Sequence, residues 1–409
     1  MTTVPPSIEL DAAIRSPEVR NDPYSFYDSL RGDARVHRST FGSLVIHRHA
    51  DVSAALRESR LSSSNEHNDN YKQFSAMARQ LGFGPLIDMQ ERTMLFLDPP
   101  DHTRLRRLAG KAFTVRAVEA MRPYISHLVD DMLDEAARRG HFDLIADVAY
   151  PLPVTVISQM MGVPLEDRHQ LREWTAIAVR VLDPSDDMAA LVPAGQAVAH
   201  LRQYFDDLVA RRRTDLGDDL LSGLISAEEE GERLTHGELL ATCVLLYAAG
   251  FETTVNLIGN GMLALLENRA AYERLGREPQ LAASATEEAL RYDSPVQLTG
   301  RTATGDTEVG GLPVERGQEV VILLGAANRD PDAFDDPGRF DISRNPNRHL
   351  AFSSGIHSCL GAGLARVEAQ VAFTTIAHRF AQLELEGEPV RRETITLRGL
   401  EKLPVAVWS

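Results

Sequence analysis

The stretch from Thr235 to about Glu267 constrains this chain more than any other. Thr235 stands at a cap position with Glu238 three residues on, a capping box that opens a helix. Apolar residues continue for nearly thirty positions, so the helix would be about 45 Å long. A helix apolar on most sides must be buried, and the rest of the chain has to wrap around it. Its middle, Ala248–Ala249–Gly250–Phe251–Glu252–Thr253–Thr254, is unlike a core segment. Glycine inside a helix costs roughly 1 kcal/mol against alanine, and a buried carboxylate costs more unless it is paired. Two readings fit. The threonines bend the helix by bonding back to its own carbonyls, or the segment forms a groove over a bound group, with an acid and a hydroxyl placed to relay protons.

A second segment, Phe352 to Arg366, carries one cysteine among small residues. Gly355 and Gly361 bracket Cys359, so the backbone can turn tightly and let something flat approach. An amphipathic helix follows, with Leu364, Val367 and Val371 at helical spacing. A thiolate just before a helix start is stabilised by N–H groups and the positive end of the dipole, and such a thiolate can hold a metal. A core cysteine would sit on an apolar strand or helix. A zinc site needs about four ligands, whereas the other cysteine, Cys243, lies far off in an apolar run. Gly361–Ala362–Gly363 lacks the third glycine of a dinucleotide loop, because Arg366 stands there. His357 beside Cys359 could form a catalytic pair, but nothing nearby supplies an orienting acid.

The remaining chain reads as follows. Asp22–Pro23–Tyr24 opens a short helix ending near Leu30, Ala34–His37 and Ser43–His47 read as a hairpin, and Asp51 caps a helix through Leu56. From Leu61 to Leu97 the pattern breaks down into a long loop, the kind that serves as a lid or binding segment. Asp98 to Arg107 then puts His102 and Arg106 on one helix face at i,i+4, where they could grip a carboxylate. Helical patterns dominate from Ala117 to Arg213, with a stop at Arg139–Gly140 and a start at Pro151 and Pro153. Glu288 and Arg291 lie at i,i+3 near a helix end. Pro295 to Leu298 is extended and leads to Arg301, and Glu319 to Leu324 is a strand.

Phe352–x–x–Gly355–x–His357–x–Cys359–x–Gly361, closed by Leu364–Ala365–Arg366, resembles the haem-binding loop of the cytochromes P-450. Ser353 departs from the glycine usual at its position. The resemblance extends over nearly the whole chain in the right order. It implies that Cys359 is the proximal ligand of haem iron and that Phe352, His357 and Gly361 belong to the cofactor loop. It implies that His102, Arg106 and Arg301 contact the haem propionates. Gly250 matches the groove of the oxygen-activation motif, Glu252 its acid and Thr253 its hydroxyl. Glu288 and Arg291 match a buried structural pair that helps hold the cysteine loop. The helices and connection around Trp174 to Ala194 correspond to the roof of the substrate cavity.

The expectation is a single, mainly α-helical domain over residues 1–409 with small β-sheets, binding haem b between the central helix and the helix after Cys359. The implied reaction is monooxygenation: one oxygen atom of O2 enters a C–H or C=C bond and the other leaves as water. Glu252 and Thr253 would deliver protons to reduced oxygen. No flavin or nicotinamide segment is visible, so a ferredoxin and its reductase are the implied electron donors. They would dock near the cysteine loop, where Arg104, Arg107 and Lys111 add positive charge. The alternatives are a haem-thiolate enzyme that uses peroxide or couples substrates oxidatively, and a haem sensor, for which no output segment remains. Ile87, Val244, Ala248, Val296 and Leu298 suggest a lipophilic substrate such as a polyketide, macrolide, terpenoid or steroid. A formal net charge of -16 argues against a nucleic-acid partner. The chain shows no leader and no run of about eighteen apolar residues, and a cytoplasmic monomer is expected.

Overall fold

The computed structural model describes residues 7–10, 16–40, 42–183, 191–229 and 234–407. It is mainly helical, with small sheets at the periphery. The central helix runs unbroken from His236 to Glu267. Both halves of the capping box are formed: Glu238 N–H donates to Thr235, and the Glu238 carboxylate accepts from Thr235 N–H at 2.7 Å. Nearly every side chain from Val255 to Leu265 is buried. Among the described residues this is the one helix long and apolar enough to cross a membrane, and most of it is covered by protein.

The helix after Cys359, Ala362–Arg379, packs against the central helix and against Arg122–Arg139. Arg122–Arg139 ends at Gly140, whose φ of 71° is the left-handed conformation of a C-cap glycine. Pro151–Met161 begins at its prolines as the sequence indicates. It crosses the central helix closely at Gly250, where an added Cβ would come within 2.7 Å of Ile157 Cγ1. This glycine is therefore required by helix packing, and its open side faces Ile157.

The largest sheet has six strands in the order Ser7–Ile8, Val36–Ser39, Leu44–Ile46, Glu319–Leu323, Leu298–Ala303, Leu61–Ser62. Val36–Ser39 and Leu44–Ile46 form the expected antiparallel hairpin.

Two local readings need correction. The helix His49–Ala55 has Arg48 at its cap position, and the Asp330 carboxylate accepts from His49 N–H at 2.7 Å. Asp51 lies in its first turn and pairs with Arg35 at 2.6 Å. The supposed loop from Leu61 to Leu97 contains the helices Asp69–Gln80 and Gly84–Arg92. The first buries only Ala78, so its sequence lacks the apolar stripe that marks a helix. Asn68 caps it, accepting from Tyr71 N–H at 3.1 Å. Of the roof segment, Pro184, Asp186 and Asp187 lie outside the described residues.

Candidate active site

The cysteine loop is shaped by two backbone conditions. Gly355 has a φ of 74°, and a Cβ there would meet the Leu56 carbonyl at 2.5 Å, so only glycine fits. Ser353 has a φ of 59° although it is not glycine. The departure from glycine therefore leaves the left-handed turn in place, made by a strained serine whose hydroxyl is buried without a partner among the described residues. Cys359 N–H donates to Phe352 O at 2.9 Å, which closes the loop. Gly361 is the cap residue of the following helix. A Cβ at Gly361 would meet protein only at 4.0 Å, so protein packing does not demand the glycine.

Cys359 retains accessible surface although protein surrounds it on most sides. Its deep setting raises its pKa by desolvation, opposed by the N–H groups of Gly361 and Ala362 and by the charges of Arg106 and Arg366. Cys243, by contrast, is sealed in the core, and burial pushes its thiol up to about 12.

Four donor groups converge beside the loop. The rings of His102 and His357 are 4.2 Å apart, and Arg106 Nη2 donates to Ser358 Oγ at 3.3 Å. His102 Nδ1 and His357 Nε2 are buried without a hydrogen-bond partner among the described residues. Arg301 is 8% exposed and bonds only to Thr299 Oγ1 at 3.1 Å and Gly300 O at 2.7 Å. No carboxylate bonds to it among the described residues. Burial lowers its pKa to about 10, against the pull of Asp98. Burial, with the charges of Arg301, His102 and Arg106, takes His357 down to about 3. Burying so much uncompensated positive potential is costly unless an anion answers it. Two carboxylates on a flat ligand would do so. With the open thiol at Cys359, these residues fit haem b: a thiolate for the iron and four donors for the propionates.

The central helix packs against the helix that follows Cys359. It is buried along most of its length, yet Ala249 is exposed and Val244, Leu245, Ala248 and Thr253 are half-buried. Apart from its ends, such as His236 and Glu267, the helix is open only along this middle stretch, the pattern expected of a core helix that borders an internal space. Thr253 lies on that stretch, and its hydroxyl donates to Ala249 O at 3.3 Å. Glu252 is turned away and is 4% exposed. Its carboxylate is ion-paired with Arg392 of the C-terminal segment. Arg392 lies 140 positions further along the chain, and no local pattern marks it.

Of the residues expected to line a substrate pocket, Val244 and Ala248 lie on this half-buried stretch. Ile87 has no exposed surface and Leu298 retains little. Leu298 packs in a separate apolar cluster with Leu10, Tyr24 and Tyr27, and Val296 packs beside another. Neither Ile87 nor Leu298 therefore presents a surface to a ligand. Arg104, expected to face a redox partner, is committed to Glu238 at 2.6 Å and Asp101 at 2.8 Å.

Glu288 and Arg291 are fully buried and paired in two bonds of 2.8 Å. The structure adds a third member, Arg344, whose Nε lies 3.1 Å from Glu288 Oε2. Asn347 Nδ2 and Asp341 N–H complete the carboxylate's shell at 3.1 and 2.8 Å. Arg291 donates onward to the carbonyls of Asn328, Pro337 and Arg339. The pair thus ties down the irregular segment that leads into the cysteine loop.

The sequence profile of the family Cytochrome P450 matches residues 62–404. Cytochrome P450 107B1 of Saccharopolyspora erythraea is 44% identical over 367 residues, 88% of each chain. The crystal structure of P450BioI in complex with hexadec-9Z-enoic acid ligated acyl carrier protein superposes with a TM-score of 0.88 at 38% identity, covering 96% of this chain and 100% of that one. Myxobacterial cytochrome P450 CYP267B1 in complex with myristic acid gives 0.89 at 39% identity, covering 97% and 99%. With these likenesses and a site suited to a haem thiolate, the chain belongs to the cytochrome P450 family of haem-dependent monooxygenases.

Proposed function

We propose that this enzyme hydroxylates or epoxidises a lipophilic small molecule held against the central helix, taking its electrons from a separate ferredoxin. The observation that carries the reading is the exposed mid-section of that helix. It offers Val244, Leu245, Ala248 and Ala249 as an apolar wall, with the Thr253 hydroxyl as its polar feature. Long acyl chains accompany two of the structural relatives, an acyl-carrier-bound hexadecenoic acid and myristic acid. An extended apolar substrate of that kind, or a polyketide, terpenoid or steroid, suits the same wall.

In this reading Cys359 ligates the iron and His102, Arg106, Arg301 and His357 hold the propionates, with Phe352 and Gly361 against the ring. The haem, when bound, supplies the oxygen activation and atom insertion. The protein's own part is to exclude water, orient the substrate and move protons. Thr253 O–H is the donor nearest the apolar wall, and Glu252 replenishes it. The ion pair with Arg392 gives that buried carboxylate a charge partner. Side chains of adjacent helical residues point about 100° apart, so the two divide the work of facing the substrate and facing a polar route outward. Residues 1–409 serve as one haem domain of a cytoplasmic enzyme. Lys111, which is exposed, offers positive charge near the cysteine loop to an acidic electron carrier.

A substrate screen by the haem absorption shift on binding, followed by turnover of the hits, tests the reading. Long-chain and polycyclic apolar molecules should bind, and small polar ones should not. Thr253→Ala should bind substrate as well as wild type and consume reductant and O2, but release hydrogen peroxide in place of product. Unchanged coupling in that variant removes Thr253 from the relay. Turnover supported by peroxide as well as by ferredoxin would favour the peroxide-using alternative.

A further inference from the structure

A polar cluster beside the cysteine loop has no part in the reading above. Arg366 lies in the second turn of the helix that follows the cysteine, with its guanidinium carbon 4.5 Å from the centroid of the Phe352 ring. The carbonyl of that same Phe352 accepts the Cys359 N–H. Glu287, from the helix Ala282–Tyr292, grips the guanidinium at both ends: Nε to Oε1 at 2.7 Å and Nη2 to Oε2 at 2.9 Å. Such a fork fixes orientation as well as distance. Behind Glu287 stands His349, its Nε2 3.1 Å from Oε2. Ala351 N–H donates to His349 Nδ1 at 3.2 Å, so Nδ1 carries no proton. The imidazole is therefore the neutral tautomer that donates from Nε2. Its side chain is 3% exposed, against 26% for Glu287 and 36% for Arg366. A cation near the thiol is thus held in one orientation and balanced by one anion, itself oriented by a buried histidine.

We propose that Glu287, oriented by His349, is a positioning residue that fixes Arg366 beside the Cys359 thiolate and offsets its charge, so that the pair sets the reduction potential of the haem iron. The inference rests on Cys359 being the iron ligand. Reduction adds one electron to the iron–thiolate unit, supplied by the ferredoxin or by a chemical reductant, and no proton moves within the cluster. A positive charge nearby favours the reduced form and a negative charge the oxidised form. The separate attraction between Arg366 and the thiol is consistent with this arrangement.

The test is a spectroelectrochemical titration of the holoenzyme. Glu287→Gln leaves Arg366 uncompensated and should raise the midpoint potential. Arg366→Gln leaves Glu287 uncompensated and should lower it. The double variant should return close to wild type. A tenfold change in the ferrous-to-ferric ratio in either direction corresponds to about 59 mV. A merely structural role would shift both single variants the same way, and that result, or no shift in either, overturns the proposal. Should Arg366→Gln fail to load haem, Glu287→Asp replaces it. That variant keeps the charge and should stay near wild type while Glu287→Gln rises; equal potentials for these two overturn the proposal. The thiolate-ligated carbon monoxide band separates the two levels of failure. If Cys359→His retains it, the ligand assignment falls. If only Cys359→His loses it and the potentials do not diverge, this inference alone falls.

Discussion

Glu368 sits in the helix after Cys359 with no exposed surface, and neither carboxyl oxygen has a hydrogen-bond partner among the described residues. An ionised carboxylate cannot be sustained there. Desolvation raises its pKa well above the usual value, with no opposing charge. The folded state therefore binds a proton that the unfolded state releases. A group raised in this way contributes stability that is fully present below the unfolded pKa and is lost as pH climbs toward the folded one. Wild-type stability should accordingly carry a negative slope of about 1.4 kcal/mol per pH unit above the ordinary carboxylate range, until the folded pKa is reached. Glu368→Gln keeps the shape and a comparable helix propensity but has no proton to lose. The variant should gain on wild type by about 1.4 kcal/mol for each pH unit in that window, and the gain should flatten near the ordinary carboxylate pKa. Glu287 and Asp293 act in the opposite sense. Against burial, Arg366 and His349 hold Glu287 at about 2, and Arg398 and Arg391 hold Asp293 at about 2. Their stabilisation is present above the ordinary carboxylate range and is lost as pH falls, but both proteins share it and it cancels in the difference. Urea unfolding of the two holoenzymes by far-ultraviolet circular dichroism at several pH values measures the gap. A gap that does not vary with pH refutes the reasoning, because Glu368 would then be ionised in the folded protein.

Glu288→Gln should cost about 3–5 kcal/mol, since Arg291 is left buried without its charge partner, and thermal unfolding of the haem-loaded protein reads the loss. Ser353→Gly should stabilise by about 1 kcal/mol, because the left-handed φ penalises a side chain and not glycine; unchanged or lower urea midpoints would count against the strain. Gly250→Ala should destabilise by about 1–3 kcal/mol through overpacking on Ile157, and the double variant with Ile157→Val should recover part of the loss. Arg392→Gln should leave the buried Glu252 carboxylate without its charge partner. Product formed per reductant consumed should fall in that variant, and rate and coupling identical to wild type would remove the ion pair from the proton route.

Short-range patterns account for what the sequence alone determined. The capping box at Thr235 and Glu238, the helix stop at Gly140 and the start at Pro151 were legible because each depends on neighbours within one turn. The cysteine loop was legible for a related reason: its geometry is imposed by glycine and cysteine within a few positions. The adjacency of Glu252 and Thr253 on one helix fixed that they diverge, whatever the fold. Tertiary structure decided the rest. The helix Asp69–Gln80 was hidden because it buries a single residue, so burial left no stripe to read. Gly250 needed the crossing of Ile157 to explain it, and Glu252 needed Arg392 to be affordable as a buried charge. Arg344 joins Glu288 across 56 positions and Arg366 joins Glu287 across 79. Pairings at such separations are set by how helices pack and loops close, and a single sequence carries no local signal for them.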